Sequence, residues 1–557
     1  MTDPSILSLK DHVRPDETSP PSPLPPRVVY VTSAETRSYA DLLPSNRGRS
    51  SLVHSLIESL ELLEEQDAAE SSSDESEDSN PDGDVHAPAG KEGKEKQDDS
   101  PVHSIPSSHK ARVLEVASAT RNDLCRFHDK IYINALFEAA ANVEVESPET
   151  SFDFDSAQPS PKKRMRIDPA PATDEVVSFD TVHQQTLDPD ESLEDHGLEH
   201  DCPVFHGLEE YCSHIAGGSI TAAKELRQGR ADIAIFWDGG RHHATKSAAA
   251  GFCYVNDIVL SILELQKSPL QQRAFSSFPS LSASSASLNA NRPLKRLKKI
   301  LYIDLDLHHG DGVAEAFETN PNVITASLHL WNKGFYPSTP KGHIDYTGPP
   351  PPSPASHTTF NIAVSKSGLS DANLNRLVEQ CIALLFGAVQ PDAVVVQCGV
   401  DGLAGDPCKE FNISLTGYGK AVQTILSLCG HAPSISLQTP APCTAPVPDE
   451  TQQENKQDVP IRPAIPVLML GGGGYNHTNA ARAWAYLTSL ALGRPLDLAS
   501  DTIPEYCPHW EMFYNDKNGN GEGMDVPAHI SRRDENSESD IERIIVRFRG
   551  HIEEYKR

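Results

Sequence analysis

Several ionisable side chains in this sequence directly follow apolar runs. The run ADIAIFWDGG is followed, after one Arg, by His242 and His243, and the run ILYI leads into DLDLHHGD at 304–311. Two further runs, AVVVQCGV and PVLMLGGGG, are directly followed by Asp401 and Tyr475, respectively. Imidazole, carboxylate and phenol groups are the usual proton carriers and metal ligands of enzymes. These positions are therefore the candidate functional site.

The spacing of Asp304, Asp306 and His308 predicts that all three point to one side of a strand, because side chains alternate along it. Asp306 and His308 can then offer an oxygen and a nitrogen to one ion, and Asp401 at the end of another strand completes a three-ligand set. Three protein ligands with open positions are typical of catalytic metal sites, whereas structural zinc usually has four Cys or His ligands. The ion can be zinc, although this oxygen-rich set also suits Fe²⁺. A single Asp-x-His triplet often arises by chance, so the interpretation depends on the joint occurrence of all these residues.

The apolar runs themselves predict β-strands, and amphipathic segments between them predict helices. Near-continuous apolar strands that alternate with helices indicate an α/β fold with a mainly parallel sheet covered on both faces. In such sheets the ligand site lies beyond the carboxyl ends of the strands, where the candidate residues occur. The predicted strands are 231–240, 298–309, 392–401 and 465–475. The predicted helices are 215–228, 256–266, 371–389, 415–428 and 477–492.

The net charge of −31, from 48 Lys and Arg against 79 Asp and Glu in 557 residues, is unevenly distributed. Residues 61–100 carry 15 acids and 3 Lys, and residues 141–200 carry 15 acids and 4 Lys or Arg. Segments of this composition cannot bury enough apolar surface to order themselves. We therefore predict one domain over 27–557, interrupted by four unstructured insertions: acidic 67–109, acidic and basic 143–190, Ser-rich 268–293 and Pro-rich 432–462.

The composition also argues against several classes of protein. No apolar run approaches the length that spans a bilayer, and the first residues lack the features of a signal peptide. The ten cysteines form no C-x-x-C pair, which favours reduced thiols in an intracellular protein. Net acidity disfavours direct, sequence-specific nucleic-acid binding, and GGGGY lacks the spacing of a phosphate loop.

The sequence contains four long motifs: GGRHHATKSAAAGFCYVNDIVLSILEL (239–265), ILYIDLDLHHGDGVAEAF (300–317), VVVQCGVDGLAGDP (394–407) and LMLGGGGYNHTNAARAW (468–484). Together these motifs resemble the class I histone deacetylases. Pro407 stands where members that bind corepressors usually have Arg, which favours a branch similar to histone deacetylase 8 and its fungal relatives. The resemblance implies a three-layer arginase/deacetylase-like α/β fold and zinc-dependent hydrolysis of N6-acetyl-lysine.

The resemblance also implies roles for individual residues. His242 and His243 match the paired imidazoles, and Tyr475 matches the tyrosine that hydrogen-bonds the substrate carbonyl. His243 is expected to be the general base, although the division of roles between the two histidines stays open at this point. The other implied roles are zinc ligands (Asp306, His308, Asp401), carboxylate partners of the histidines (Asp304, Asp311), acyl-lysine tunnel (Gly251, Phe252, Tyr336), substrate-gripping rim (Asp201), acetate channel (Arg49) and structural potassium (Asp304, Asp306, His308, Ser327, Leu328). Tyr336 departs from the usual Phe, and its hydroxyl is expected to alter acyl preference.

The expected substrates are acetylated histone tails or other acetylated nuclear proteins. The expected role of the protein is that of a repressor in chromatin and transcription regulation. The identity of any corepressor partner stays open. The basic cluster at 162–166 favours a nuclear location, with the cytoplasm as an alternative. Two other functions stay open at this point. One is deacetylation of small acetylated amines, and the other is an acidic scaffold that recruits basic nuclear partners.

Overall fold

The structure is a computed structural model that describes residues 25–65, 109–143, 192–268, 296–431, 463–516 and 520–557. The four predicted insertions lie outside these residues, except for residues 109, 143 and 268 at their edges. The basic cluster at 162–166 also lies outside them. Within the part that is described, no helix combines the length and apolarity needed to cross a membrane.

A single sheet of eight parallel strands forms the centre of the molecule, in the order β2-β1-β3-β8-β7-β4-β5-β6. All strands except β2 are completely buried, as expected for a sheet covered on both faces. The α/β fold with a parallel sheet is therefore confirmed. The strands are β1 (Val28–Val31), β2 (Arg112–Leu114), β3 (Ile233–Phe236), β4 (Ile300–Asp304), β5 (Val323–Leu330), β6 (Thr359–Val364), β7 (Ala393–Gln397) and β8 (Val467–Leu470).

Helices cover both faces and produce three layers. Alternate residues of one strand enter different cores: Val28 of β1 packs in one cluster and Val29 in the other. Among the described residues the helices are α1 (Ala34–Ala40), α2 (Arg49–Ser59), α3 (Arg121–Leu124), α4 (Lys130–Ala141), α5 (Leu208–Arg227), α6 (Asp257–Leu265), α7 (Asp311–Ala316), α8 (Asp371–Leu377), α9 (Ala383–Val389), α10 (Leu415–Leu428), α11 (His477–Ala491), α12 (Trp510–Tyr514) and α13 (Glu538–Tyr555). A π-helical turn, Val378–Ile382, joins α8 to α9, and Pro340–Gly342 forms a 3₁₀ turn.

The first core lies between the sheet and helices α2, α8–α11 and α13, and the second lies between the sheet and α4–α6. The helix α11 also packs along α2, which begins at Arg49. Burial of apolar side chains on both faces, at about 25 cal/mol per Å², is the main force that holds the sheet in place. The carboxyl ends of the central strands are thereby fixed relative to one another.

The register aligns those carboxyl ends. Asp304, the last residue of β4, lies opposite Gln397 at the end of β7 and opposite Ser327 in β5. Gln397 in turn lies opposite Leu470, the last residue of β8, and Leu470 lies opposite Phe236 of β3. The segments that follow β3, β4, β7 and β8 therefore start from neighbouring positions on one edge of the sheet.

Candidate active site

The candidate site is built from the segments that follow β3, β4, β7 and β8. The strand β4 ends at Asp304, earlier than predicted, so Asp306 and His308 lie in the turn after it and strand alternation does not reach them. Their side chains still converge, because the turn folds back over the end of β7. Asp401, in the segment after β7, meets them there.

The three predicted metal ligands are brought together. The Nδ1 atom of His308 lies 2.8 Å from Oδ2 of Asp401 and 3.2 Å from Oδ1 of Asp306. The side chains of both aspartates are at most 1% exposed, and that of His308 is 14% exposed. The imidazole nitrogen of His308 thus lies between oxygens of two carboxylates, a donor set that suits zinc or Fe²⁺.

Each carboxylate is held by its other oxygen. The Oδ2 atom of Asp306 accepts hydrogen bonds from Nε2 of Gln397 and from the backbone N–H of Gly473, both at 2.9 Å. The Oδ1 atom of Asp401 accepts from the backbone N–H of Leu307 at 2.9 Å. Such supporting bonds orient metal ligands and leave the opposite oxygens available.

Gly473 leaves the space into which the two carboxylates fit. A Cβ atom at this position would lie 2.5 Å from Oδ2 of Asp401 and 2.9 Å from Oδ2 of Asp306. Any larger residue would therefore displace the ligands. The glycine-rich segment after β8 forms one wall of a cradle with acidic lining.

The charges in this cradle also favour a cation. Burial, together with the neighbouring charge of Asp306, raises the pKa of Asp401 to about 7. Burial lowers the pKa of His308, but its bonds to Asp306 and Asp401 outweigh this and raise it to about 10. Two carboxylates with so little access to water are costly without a compensating positive charge. A divalent ion would supply that charge, so these residues fit a metal site.

The two histidines after β3 each bond a different carboxylate. The Nδ1 atom of His242 lies 2.9 Å from Oδ2 of Asp304, which also accepts a bond from the hydroxyl of Tyr302. The Nδ1 atom of His243 lies 2.8 Å from Oδ1 of Asp311, the first residue of α7. The two imidazole rings are 4.0 Å apart between centroids.

The two His–Asp pairs differ in the pKa of their imidazole groups. Burial lowers the pKa of His242, but Asp304 and Asp306 outweigh burial and raise this pKa to about 9. For His243, burial and the positive charge of His242 together lower the pKa below its ordinary value. His242 is therefore suited to carry charge at neutral pH, and His243 is suited to accept a proton.

The loop that carries the histidines is held by the start of α6. The carboxylate of Asp257 accepts hydrogen bonds from the backbone N–H groups of Gly240 and Arg241, at 2.9 and 2.8 Å. The amide of Asn256, the N-cap of α6, donates to the carbonyl of Ala244 at 2.9 Å. Sequence analysis did not identify this support, since nothing in the spacing links α6 to the preceding loop.

Tyr475 is positioned by a residue that sequence analysis also missed. The buried Asp406 accepts bonds at Oδ2 from the backbone N–H of Tyr475, at 2.8 Å, and of Asn476, at 3.3 Å. Burial, followed by the charge of Asp401, raises the pKa of the Tyr475 phenol well above 10. The hydroxyl is therefore protonated at neutral pH and available as a donor.

The three predicted tunnel residues lie beside His243 or Tyr475. The ring of Tyr336 stands edge-on to His243 with centroids 5.0 Å apart, and the ring of Phe252 stands edge-on to Tyr475 at 5.8 Å. A Cβ atom on Gly251 would lie 2.4 Å from the ring of His243 and 2.8 Å from the hydroxyl of Tyr336. Only glycine therefore fits at 251.

Asp201, the predicted rim residue, is exposed and accepts a hydrogen bond from the backbone. The Oδ2 atom of Asp201 accepts a hydrogen bond from the backbone N–H of Gly251 at 2.8 Å. Asp201 thus fixes the backbone of Gly251, which lies beside His243. Phe335, next to Tyr336 in sequence, was not predicted but stacks parallel to the imidazole of His308 at 5.1 Å.

Arg49 lies behind the metal ligands, at the first position of α2. Its Nη1 atom donates to the carbonyls of Gly472 and Gly474 at 3.1 and 2.9 Å, and its guanidinium lies 4.8 Å from the ring centroid of Trp484. Burial lowers the pKa of Arg49 to about 10, so the group is still cationic at neutral pH. It is a positive charge on the inner side of the site.

The residues predicted to bind potassium lie on two paired strands and the turn after β4. Asp304 lies opposite Ser327 in the β4–β5 pairing, and Leu328 follows in β5. The hydroxyl of Ser327 is 2.8 Å from Nδ1 of His329. The potassium site stays a prediction.

Comparison with known proteins identifies the family. The histone deacetylase domain matches residues 99–275 and 283–438, which include both histidines and the three metal ligands but not Arg49 or Tyr475. The chain is 32% identical to histone deacetylase 8 of Xenopus tropicalis over 370 residues, 66% of this chain and 78% of that protein. It is 36% identical over 350 residues to histone deacetylase clr6 of Schizosaccharomyces pombe, 61% of this chain and 68% of that protein.

A third relative, histone deacetylase 6 of Arabidopsis thaliana, is 35% identical over 347 residues, which cover 62% of this chain and 56% of that protein. The family is one of hydrolases that are in general metal-dependent, in agreement with the His and Asp cluster described above. The chain belongs to the histone deacetylase family and resembles its class I members.

Proposed function

We propose that this protein is a zinc-dependent hydrolase that removes acetyl groups from N6-acetyl-lysine in histones or other nuclear proteins and releases acetate. The observation that supports this most strongly is the convergence of His308, Asp306 and Asp401 beside two His–Asp pairs. Metal ligands alone would fit many functions. Metal ligands beside a neutral imidazole and a protonated phenol fit the hydrolysis of an unactivated amide.

Zinc, held by Asp306, His308 and Asp401, would polarise the acetyl carbonyl and lower the pKa of a bound water toward about 7. The oxygen-rich ligand set also suits Fe²⁺, so the ion in the cell is a separate question. Proton transfer and stabilisation of the developing charge are carried out by side chains of the protein.

His243 is proposed to act as general base and then as general acid. With its lowered pKa, the imidazole is neutral at physiological pH and can take a proton from the attacking water. Asp311, bonded to Nδ1, leaves Nε2 free to receive that proton. The proton then passes to the lysine nitrogen as the C–N bond breaks, so acetate and a free lysine amine are the products.

His242 is proposed to remain cationic through the cycle. Its pKa of about 9, maintained by Asp304, places a positive charge next to His243. That charge keeps His243 a weak enough base to return its proton to the leaving amine. It also stabilises negative charge that develops on the carbonyl oxygen.

Tyr475 is proposed to donate a hydrogen bond to that oxygen. One preorganised donor of this kind typically contributes about 3–4 kcal/mol to transition-state stabilisation. Gly251, Phe252 and Tyr336 would line the acyl-lysine tunnel, and Asp201 would hold the substrate backbone at its entrance. Arg49, the inner positive charge, would attract the acetate product, and structural potassium would lie near Asp304 and Ser327.

We propose a nuclear location and a role in chromatin and transcription regulation, as a repressor, by one catalytic domain over 27–557. This is supported by the histone deacetylase relatives and by the basic cluster at 162–166. Small acetylated amines are the alternative substrates. The exposed Asp201 at the tunnel entrance favours a peptide, because its carboxylate can accept bonds from backbone N–H groups.

The choice is tested by turnover of an acetyl-lysine histone peptide compared with an acetylated polyamine, using the full chain. We expect kcat/KM to favour the peptide, and Asp201→Asn to reduce peptide turnover more than polyamine turnover. Activity on the polyamine alone would contradict the proposed substrate class.

A further inference from the structure

A cysteine lies within reach of the metal ligands. The metal-binding atoms of His308, Asp401 and Cys408 all lie within 4.8 Å of one another. Cys408 is partly buried, and its side chain packs at the edge of the first core. None of the roles considered above includes this residue.

The backbone of Cys408 is tied to the site. Asp406 accepts a bond at Oδ1 from the N–H of Cys408, at 2.9 Å, while its Oδ2 holds the N–H of Tyr475. A single buried carboxylate therefore fixes two segments on the same side of the cradle. Pro407, between the two residues, further restricts the backbone. The thiol is consequently held beside His308 and Asp401.

We propose that Cys408 supplies a sulfur ligand to the divalent ion held by His308 and Asp401. The proposal rests on the metal site of the proposed function. When the ion binds, the S–H bond of Cys408 breaks, a sulfur–metal bond forms, and the proton passes to solvent. Nitrogen and sulfur donors around one tetrahedral zinc, with Zn–S near 2.3 Å and Zn–N near 2.0 Å, lie about 3.5 Å apart. The separations of up to 4.8 Å between the donor atoms would therefore close by side-chain rotation when the ion binds.

A sulfur ligand would change two properties of the site. Thiolate is a soft ligand that favours zinc over harder ions, so Cys408 would shift an otherwise oxygen-rich set toward zinc. It would also add a fourth protein ligand to Asp306, His308 and Asp401, so the thiolate would have to leave the ion before the substrate carbonyl and the attacking water could bind there.

Cobalt substitution tests this directly, because thiolate bound to Co²⁺ gives an intense sulfur-to-metal charge-transfer band in the near ultraviolet. The full chain is stripped of metal, loaded with Co²⁺ and compared with Cys408→Ser and Cys125→Ser. Cys125 is also partly buried but belongs to the end of α3, away from the site, and serves as the matched control. We expect the band in the parent chain and in Cys125→Ser, and its loss in Cys408→Ser with cobalt still bound about tenfold more weakly.

A second measurement needs no variant: zinc X-ray absorption of the parent chain should show a sulfur neighbour at about 2.3 Å. Bound cobalt without the band, or zinc with nitrogen and oxygen neighbours only, would overturn the sulfur ligand and leave the metal site intact. Failure of the parent chain to bind either ion would overturn both the ligand and the proposed function.

Discussion

Two His–Asp pairs of the same composition lie side by side in this site, and their surroundings give them opposite properties. Asp304 is completely buried at the end of β4 and also bonds Tyr302, whereas Asp311 is 26% exposed at the start of α7. The pKa of His242 is raised to about 9, and the pKa of His243 is lowered. Burial lowers both values, so the difference comes from the charges that surround each ring.

The comparison shows how two adjacent residues can take separate roles. The charge of His242 is a major reason why His243 stays neutral, since the rings are 4.0 Å apart. Protonating both at once would bring two cations into contact in a nearly dry site. A neutral proton acceptor beside a fixed cation is therefore the stable arrangement near neutral pH.

Alanine substitution of each histidine should have the largest effects on turnover and should separate the roles of the two His–Asp pairs. His243→Ala removes the proton carrier, so turnover should fall about 1000-fold. His242→Ala removes a neighbouring charge, so the loss should be smaller, roughly 10- to 100-fold. Steady-state kinetics on an acetyl-lysine peptide, at matched zinc content, gives both values. A greater loss in His242→Ala would reverse the assigned roles.

Tyr475→Phe should reduce turnover by at least about 100-fold, because one hydrogen-bond donor to the developing oxyanion is lost. The variant keeps both His–Asp pairs, so the shape of its pH–rate profile should match the parent chain. Metal analysis provides the control, since Tyr475 is not among the proposed ligands. Normal turnover in this variant would remove Tyr475 from the mechanism.

Asp304→Asn and Asp311→Asn sharpen the comparison by changing one pair at a time. Activity requires neutral His243, so it is lost as pH falls through the lowered pKa of that group, below 6.5. It also requires cationic His242, so it is lost as pH rises toward about 9, and a bound divalent ion moves this limb lower.

The loss of a carboxylate partner lowers the pKa of the imidazole by roughly one unit or more. Asp304→Asn should therefore move the basic limb toward neutral pH, and Asp311→Asn should move the acid limb further down. We expect turnover at the optimum to fall about tenfold in each variant. A larger shift of the acid limb than of the basic limb in Asp304→Asn, or the reverse in Asp311→Asn, would contradict the separate roles assigned to the two pairs.

Tyr336→Phe should have the smallest effect, because this ring contacts His243 but bonds neither carboxylate. Its hydroxyl lies beside Gly251, and in the proposed tunnel it would disfavour additional methylene groups of a longer acyl chain. We expect kcat/KM for a butyryl-lysine peptide to rise roughly fivefold relative to the acetyl peptide. Tyr39→Phe, at a tyrosine that packs on His214, is the control. An unchanged ratio would remove the hydroxyl from acyl selection.

The parts of the fold that sequence predicted are those with strong local patterns. The helices at 371–389, 415–428 and 477–492 are found within a few residues of the predicted bounds, and the four apolar runs are strands. Strands β5 and β6 were not singled out, because Thr, Ser, His and Asn interrupt their apolar pattern although every residue is buried. The site ligands could be named because unusual residue types lie close together in sequence.

The supporting residues could not be named, because their roles depend on contacts between distant segments. Gln397 reaches Asp306 across 91 positions, and Asp406 reaches Tyr475 across 69. Asp406 and Cys408 lie in the motif that resembles the deacetylases, but nothing in their spacing shows what they touch. Those contacts arise only because the register of the sheet aligns the strand ends and the loops after them fold back toward one another.

The most direct test of this account is deacetylation of an acetyl-lysine histone peptide by the full chain, before and after removal of metal with a chelator. We predict that activity disappears on chelation and returns with about one equivalent of zinc. In Asp401→Ala, which removes a proposed metal ligand that lies beside His308, zinc should restore none of it. Undiminished peptide hydrolysis by the metal-free protein, or by Asp401→Ala, would contradict the central claim.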